Sequence, residues 1–248
     1  MIQEDTTTKR CPTESSPEVR ITADWSHLLD EAAPPTVLRP NPPKRNYNAK
    51  LLQLDPLLRP EECTRLNTAA ERIGFGRTAY PQHYRGNLRL IVTDQGLADK
   101  LWERVRRFVP SRVRGLDVDG VPSEWEACGL NEVFRLAKYR PGHRFGAHCD
   151  AAFVRNEDEM SIYTLNVYTN TVHPEHGGRT RFYADGARGI GDKDVDLAVR
   201  PEEGLCVAFM QPPQAELKHD GEELTAGVKY LLRSDVMYRR VEPASPGA

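Results

Sequence analysis

The sequence predicts an α+β chain that is mainly β, with helices first and a β-sandwich or jelly roll after them. Two helical patterns lie before residue 110, and several short segments with alternating polarity follow residue 130. Glycine and proline number 18 and 19 among the 248 residues, and this content argues against a helical bundle. Helices followed by a run of short strands are typical of layered α+β folds.

Each predicted helix has a recognisable start. The first begins at Pro60, because proline suits the first helical turn, and its apolar stripe ends at Ile73. The second follows Asp94, and its apolar face runs from Leu97 to Phe108. We therefore expect two helices in the first half of the chain.

The strand predictions rest on alternation of side chains with a period of two, or on short apolar runs between turn signals. Glycine-rich or proline-rich breaks separate these segments and are consistent with turns. The predicted strands cover residues 133–139, 161–170, 204–210 and 228–238.

Composition and charge limit the domain organisation, the partners and the cellular location that we expect. We expect residues 1–46 to be a flexible, proline-rich N-terminal segment and residues 47–242 to form a single domain. The net charge of −2 offers no basic field for nucleic acid, and no apolar run suggests a signal peptide or a membrane span. Five scattered cysteines are consistent with reduced thiols, so we expect a cytoplasmic protein.

The residues that could carry chemistry begin with His148 and Asp150. Residues two apart on a strand point to the same side, so both could bind one ion while Cys149 points away. His219 lies between two predicted strands, where a jelly roll could bring it beside this pair. Two histidines and one carboxylate form the ligand set of non-haem Fe(II) oxygenases. Lys229, on the next predicted strand, is costly to bury without an anionic partner.

The segment from Tyr139 to Asp150 resembles the Y-x-x-G-x-x-x-x-x-H-x-D pattern of prolyl 4-hydroxylase-type oxygenases, which depend on Fe(II) and 2-oxoglutarate. The resemblance covers about residues 130–240, and more loosely Arg85–Asn87. Its other pieces are Leu165–Asn170, Gly177–Phe182, His219, Gly227–Tyr230 and Arg233–Tyr238.

The resemblance implies a double-stranded β-helix, which is a jelly roll, backed by the N-terminal helices. It also implies three cofactors or cosubstrates: Fe(II), 2-oxoglutarate and O₂, with ascorbate as an optional addition. The chain departs from the family pattern at Ala184–Val199, a long segment rich in glycine and aspartate. The residues implied are His148, Asp150 and His219 for the metal, Lys229 for the distal carboxylate of 2-oxoglutarate, and Tyr139, Tyr168 and Thr180 as further cosubstrate contacts.

The activity implied is a dioxygenase that hydroxylates a small molecule or a prolyl or amino-acid-like substrate and releases succinate and CO₂. Candidate substrate contacts are Arg85, Asn131 and Arg233, although Arg233 could instead pair with an acid such as Asp235. Two alternatives stay open: a non-catalytic jelly-roll module that binds metal or senses, and a cupin-like metalloenzyme that uses no 2-oxo acid. The sequence leaves open whether the substrate is a small molecule or a peptide, and it leaves the oligomeric state open.

Overall fold

A computed structural model gives the structure of the chain and describes residues 16–40, 47–117, 119–184 and 191–241. These ranges hold sixteen strands and two α-helices, so the chain is mainly β. The helices are α1 (Pro60–Ile73) and α2 (Gln95–Val105). The strands are β1 (Val19–Thr22), β2 (Val37–Arg39), β3 (Leu51–Asp55), β4 (Gly76–Arg77), β5 (Leu88–Thr93), β6 (Arg112–Leu116), β7 (Pro122–Leu130), β8 (Val133–Tyr139), β9 (Phe145–His148), β10 (Val154–Asn156), β11 (Glu159–Tyr168), β12 (Thr180–Tyr183), β13 (Val195–Val199), β14 (Cys206–Met210), β15 (His219–Gly221) and β16 (Lys229–Arg240).

Both helices lie where the sequence predicts them. The side chain of Asp94 accepts a hydrogen bond from the backbone N–H of Leu97 at 2.8 Å and so caps α2. The second prediction was too long, because α2 ends at Val105 and Phe108 lies in the turn after it. There the N–H of Phe108 bonds to the carbonyl of Val105. None of the described helices has the length and apolar character that crossing a membrane requires.

The strands form two sheets that face each other across an apolar layer. The larger sheet follows the order β1-β5-β8-β16-β11-β14-β3-β2, and its centre consists of the four strands that the sequence predicts. The smaller sheet follows the order β13-β12-β15-β9. Phe182 of the smaller sheet and Phe209 of the larger one meet edge to face, with ring centroids 5.2 Å apart. The functional side chains lie in this space between the sheets.

The N-terminal segment departs from the expectation of a flexible tail. Within residues 16–40, β1 pairs in parallel with β5, and β2 pairs antiparallel with β3. Trp25 and Leu29 are buried in the main core beside both helices. Backbone pairing and apolar burial offset the entropy lost on ordering this stretch. The polar and proline-rich composition alone does not indicate these contacts. Residues 1–15 and 41–46 lie outside the described ranges.

The segment from Ala184 to Val199, where the chain departs from the family pattern, contributes to the smaller sheet. Its last five residues form β13, which pairs antiparallel with β12 and so lies at the edge of that sheet. Leu197 and Val199 are buried in the apolar layer between the sheets. Residues 185–190 lie outside the described ranges.

One buried ion pair joins α1, α2 and the N-terminal segment. Arg104 of α2 donates two hydrogen bonds to the carboxylate of Glu62 in α1, at 2.7 and 2.8 Å. Both side chains are almost completely buried, and Arg104 also donates to the carbonyl of Asp30. The Glu62 carboxylate accepts hydrogen bonds from the backbone N–H groups of Arg59 and Asp30. Loss of either partner leaves a buried charge without compensation.

We expect Arg104→Met to lower the free energy of unfolding by about 3–5 kcal/mol, because it leaves the buried Glu62 carboxylate without its charged partner. Arg106→Met is the matched control, since Arg106 follows the same helix and forms an exposed pair with Glu103. The control should change stability by less than about 1 kcal/mol. Urea unfolding measures both variants, and equal losses would contradict a structural role for the buried pair.

Candidate active site

Two histidines lie side by side on the smaller sheet. His148 ends β9 and is the register partner of His219 on β15, and the ring centroids are 4.4 Å apart. The Nδ1 atom of His148 lies 2.8 Å from the carbonyl oxygen of Gly146, and that of His219 lies 2.9 Å from the carbonyl oxygen of Leu217. A carbonyl only accepts, so each Nδ1 carries the proton and each Nε2 is left with a free lone pair.

Asp150 faces both free nitrogens. Its carboxylate oxygens lie 3.4 Å from Nε2 of His148 and 3.8 Å from Nε2 of His219. One ligand atom from each of the three residues lies within 4.8 Å of the others. Burial lowers the pKa of His219 to about 4, which keeps its imidazole neutral as a metal ligand must be. Two neutral imidazoles and a carboxylate suit Fe(II), so this trio could hold that ion.

A ring of polar groups holds Asp150 from behind. Thr164 of β11 donates to Oδ2 of Asp150 at 2.9 Å, and an Nη1 nitrogen of Arg233 lies 3.3 Å from Oδ1. Gln211 donates to both Thr164 and Asp235 at 2.9 Å, and Asp235 accepts from Arg233 at 3.3 Å. Burial would raise the pKa of Asp150, but Arg233 and the two histidines hold it well below its usual range. The carboxylate therefore stays ionised and fixed in orientation.

An inner cavity adjoins the trio, and Lys229 lies in its wall. The side chain of Lys229 is buried, and its ammonium donates to the carbonyl of Gly178 at 2.6 Å. Gly177 and Gly178 both have positive φ angles, 69° and 73°, which glycine adopts without strain. Among the described residues, Lys229 forms no ion pair with a carboxylate. Burial lowers its pKa to about 8, and the charges of Glu222 and Asp220 oppose that shift.

The three other residues expected near the cosubstrate surround Lys229. Its ammonium lies 4.9 Å from the ring centroid of Tyr139 and 5.4 Å from that of Tyr168. Tyr139 and Thr180 line the inner cavity. Tyr168 stands behind Thr180, with its hydroxyl 2.6 Å from the threonine hydroxyl, and does not line the cavity. Tyr168 therefore orients Thr180, and Thr180 presents a hydroxyl to the cavity.

The residues expected to touch a substrate divide into two groups. Arg85 and Arg233 line both the inner cavity and an adjoining outer cavity of about 440 Å³. Asn131 lines neither, because it is fully buried and its side chain bonds to the N–H of Val133 and to Asp235. Its position is structural, since it helps to hold the acid that pairs with Arg233.

Three polar residues near the trio were not predicted from the sequence as site residues: Thr164, Asn166 and Gln211. Thr164 and Asn166 share the period-two face of β11 with Tyr168, and their polarity within a buried strand was an available signal. Asn166 lines the inner cavity with a buried side-chain oxygen that has no hydrogen-bond partner among the described residues. Gln211 follows β14 directly, and no spacing in the sequence links it to Asp150.

Comparison with known proteins agrees with this geometry. Residues 134–234 match the family model of the 2OG-Fe(II) oxygenase superfamily, a range that runs from β8 to β16 and contains all three members of the trio. No curated protein sequence matches the chain.

Several prolyl hydroxylases are among the solved structures that match this chain. The viral collagen prolyl hydroxylase of Paramecium bursaria Chlorella virus-1, solved with 2-oxoglutarate, has a TM-score of 0.50 and 18% sequence identity, over 77% of this chain and 96% of its own. The prolyl-4-hydroxylase of Pseudomonas putida has a TM-score of 0.49 and 18% sequence identity, over 78% of this chain and 94% of its own. A Trichoplax adhaerens prolyl hydroxylase, solved with a hypoxia inducible factor peptide, has a TM-score of 0.44 and 16% sequence identity. The match covers 70% of this chain and 74% of its own. Residues 134–234 thus match a 2OG-Fe(II) oxygenase domain that contains the His-Asp-His trio, and the chain is a dioxygenase that depends on Fe(II) and 2-oxoglutarate.

Proposed function

We propose that the chain hydroxylates a small molecule or a prolyl or amino-acid-like substrate, with Fe(II) held by His148, Asp150 and His219. The observation that carries this proposal is the trio of ligand atoms beside a cavity whose wall contains Lys229. This lysine is buried and has no carboxylate partner in the described part of the chain. We assign the distal carboxylate of 2-oxoglutarate to Lys229, and further contacts to Tyr139 and Thr180. A buried ammonium without a carboxylate partner favours an anion as the occupant of the cavity beside it.

The proposal extends to the fold. We infer that the two facing sheets form the double-stranded β-helix of this superfamily, backed by α1 and α2. Antiparallel pairing within the smaller sheet and the apolar layer between the sheets support this inference. The oxygenase domain was expected over residues 47–242, and we extend it to include β1 and β2 because both strands pair with strands of the larger sheet.

When bound, the iron and 2-oxoglutarate allow O₂ to be used, one oxygen atom entering succinate as CO₂ leaves and the other entering the substrate as a hydroxyl. The chain's own residues prepare the site for this reaction. Asp150 supplies the negative charge toward the metal, and Thr164 and Arg233 keep its carboxylate in one orientation. Lys229 and the Thr180 hydroxyl orient the cosubstrate from the far side of the cavity. The apolar walls formed by Leu231 and Phe145 limit the access of water.

The direct test is succinate formation from 2-oxoglutarate with Fe(II) and O₂. We expect His219→Ala to lower the rate by more than about 100-fold, because it removes a ligand rather than a supporting residue. The matched control is His173→Ala, since His173 is exposed in a turn outside both cavities. Turnover without iron would contradict the proposal, and metal and 2-oxoglutarate binding without O₂ consumption would favour a non-catalytic module.

The charge of Lys229 predicts how 2-oxoglutarate affinity depends on pH. Only the ammonium form of Lys229 attracts the distal carboxylate. The affinity for 2-oxoglutarate is therefore full well below pH 8, which is the pKa of Lys229 in the protein without cosubstrate, and it falls above that pH. We expect the KM for 2-oxoglutarate to rise about tenfold per pH unit above pH 8. Burial raises the pKa of the neighbouring Tyr139 to about 12, so this phenol stays neutral in that range.

Lys229→Arg should remove this pH dependence, since arginine remains protonated throughout the range. Lys229→Ala should raise the KM by about 30-fold or more at pH 7, because it deletes a buried charged partner. KM measured from pH 6.5 to about 9.5 checks all three proteins. An unaltered KM in Lys229→Ala would contradict the assignment of the distal carboxylate to Lys229.

The polar ring predicts a role for Thr164 in metal affinity. We expect Thr164→Val to weaken Fe(II) binding about 10- to 100-fold, because Asp150 loses a donor and Gln211 loses an acceptor. Thr169→Val is the matched control, since Thr169 is equally buried but bonds to Asn67 instead. Anaerobic metal titration measures the affinities, and equal effects of the two substitutions would remove Thr164 from the support of the site.

A further inference from the structure

The outer cavity is rich in arginine. Four arginines line it, Arg85, Arg89, Arg135 and Arg233, and its only lining carboxylates among the described residues are Asp150 and Asp235. His148 and Asp150 line both cavities, so a molecule in the outer cavity would lie beside the trio. Its volume of about 440 Å³ falls in the range of small-molecule sites.

The two lining carboxylates are already engaged. Asp235 lies between Arg135 and Arg233, at 3.2 and 3.3 Å, and these two arginines are directly opposite each other on β8 and β16. Like charges at opposed positions destabilise a sheet unless an acid compensates them, and Asp235 serves both. Asp150 is directed toward the trio and also pairs with Arg233. Neither carboxylate is left to neutralise a further cation.

Arg85 is the arginine without an acid. Among the described residues it forms no ion pair, and its hydrogen bond is a long one, from Nε to the side-chain oxygen of Asn87 at 3.3 Å. Its guanidinium carbon lies 4.3 Å from the ring centroid of Phe145 and 5.3 Å from that of Tyr80. Stacking on rings leaves the in-plane N–H groups of a guanidinium free to bind a carboxylate through two hydrogen bonds. Burial, followed by the charge of Arg89, lowers the pKa of Arg85 from its usual value.

We propose that the substrate of this dioxygenase is a small carboxylic acid whose carboxylate is bound by Arg85 in the outer cavity. This inference rests on the proposed function and specifies its substrate class. The half-buried guanidinium lies in a cavity with more cations than anions, and a carboxylate supplies both the missing charge and the matching planar geometry. The same anchoring directs the rest of the molecule toward His148 and Asp150.

The test compares matched pairs of compounds on the enzyme loaded with Fe(II) and 2-oxoglutarate. Free L-proline, other free L-amino acids and their N-acetyl derivatives are each compared with the corresponding carboxamide, and a prolyl peptide blocked at both ends is added. The readouts are succinate formed above the rate without substrate, and calorimetric binding under anaerobic conditions. We expect acids to stimulate succinate formation and to bind. The corresponding carboxamides should bind about 30-fold more weakly or worse.

Variants separate substrate from cosubstrate. Arg85→Gln should raise the KM of a stimulating acid by about 30-fold or more and leave the KM for 2-oxoglutarate within about twofold. Arg85→Lys should fall between, because it keeps the charge but loses the planar pair of donors. Arg106→Gln, an exposed arginine outside both cavities, should change neither value.

Several outcomes would overturn the inference. These are equal responses to acids and carboxamides, stimulation by the blocked peptide alone, or no binding of any acid at about 10 mM, which is well above usual KM values. A rise in the KM for 2-oxoglutarate in Arg85→Gln would assign Arg85 to the cosubstrate instead. Absence of any 2-oxoglutarate turnover would be a failure of the proposed function, and calorimetry would still decide whether the cavity selects acids.

Discussion

Asp150 carries a negative charge inside the protein, and the surrounding site is organised to stabilise that charge. An isolated buried carboxylate would take up a proton rather than stay ionised. Thr164 and Arg233 prevent this from the larger sheet, while the two histidines face it from the smaller sheet. His148 ends β9, the strand that Asp150 follows, but the other three partners come from β11, β15 and β16. The site therefore exists only when the two sheets are in place.

Strand register determines which residues meet in this space. Lys229, Leu231, Arg233 and Asp235 are alternate residues of β16, and the last two lie opposite Asn166 and Thr164 of β11. A shift of one residue would turn the whole row to the other face of the sheet and remove the lysine and the arginine together. Apolar residues that alternate with this row along β16, such as Leu232 and Val236, are buried on the other face in the main core. The pairing that buries this core therefore also aligns the site.

The sequence was informative where local pattern and chemistry coincide. The His148–Asp150 spacing, His219 and Lys229 could be recognised because residue type, order and strand position all agreed, and the structure brings these residues together. Gln211 could not be recognised, because its link to Asp150 runs through Thr164 and depends on how β14 pairs with β11. Trp25 and Leu29 were hidden for another reason, since the apolar residues of this short stretch show no sustained period of a helix or a strand.

Glu18 and Arg89 connect the N-terminal segment to the outer cavity. Glu18 immediately precedes β1 and forms an ion pair with Arg89, the arginine that β5 contributes to the cavity wall. The β1 strand is held at the edge of the sheet by its pairing with β5. The electrostatic potential of a cavity in the middle of the chain thus depends on an acid near its beginning. Proteolysis or redesign before residue 23 would therefore change the charge of the outer cavity from a distance in sequence, while leaving the His-Asp-His trio and Lys229 in place.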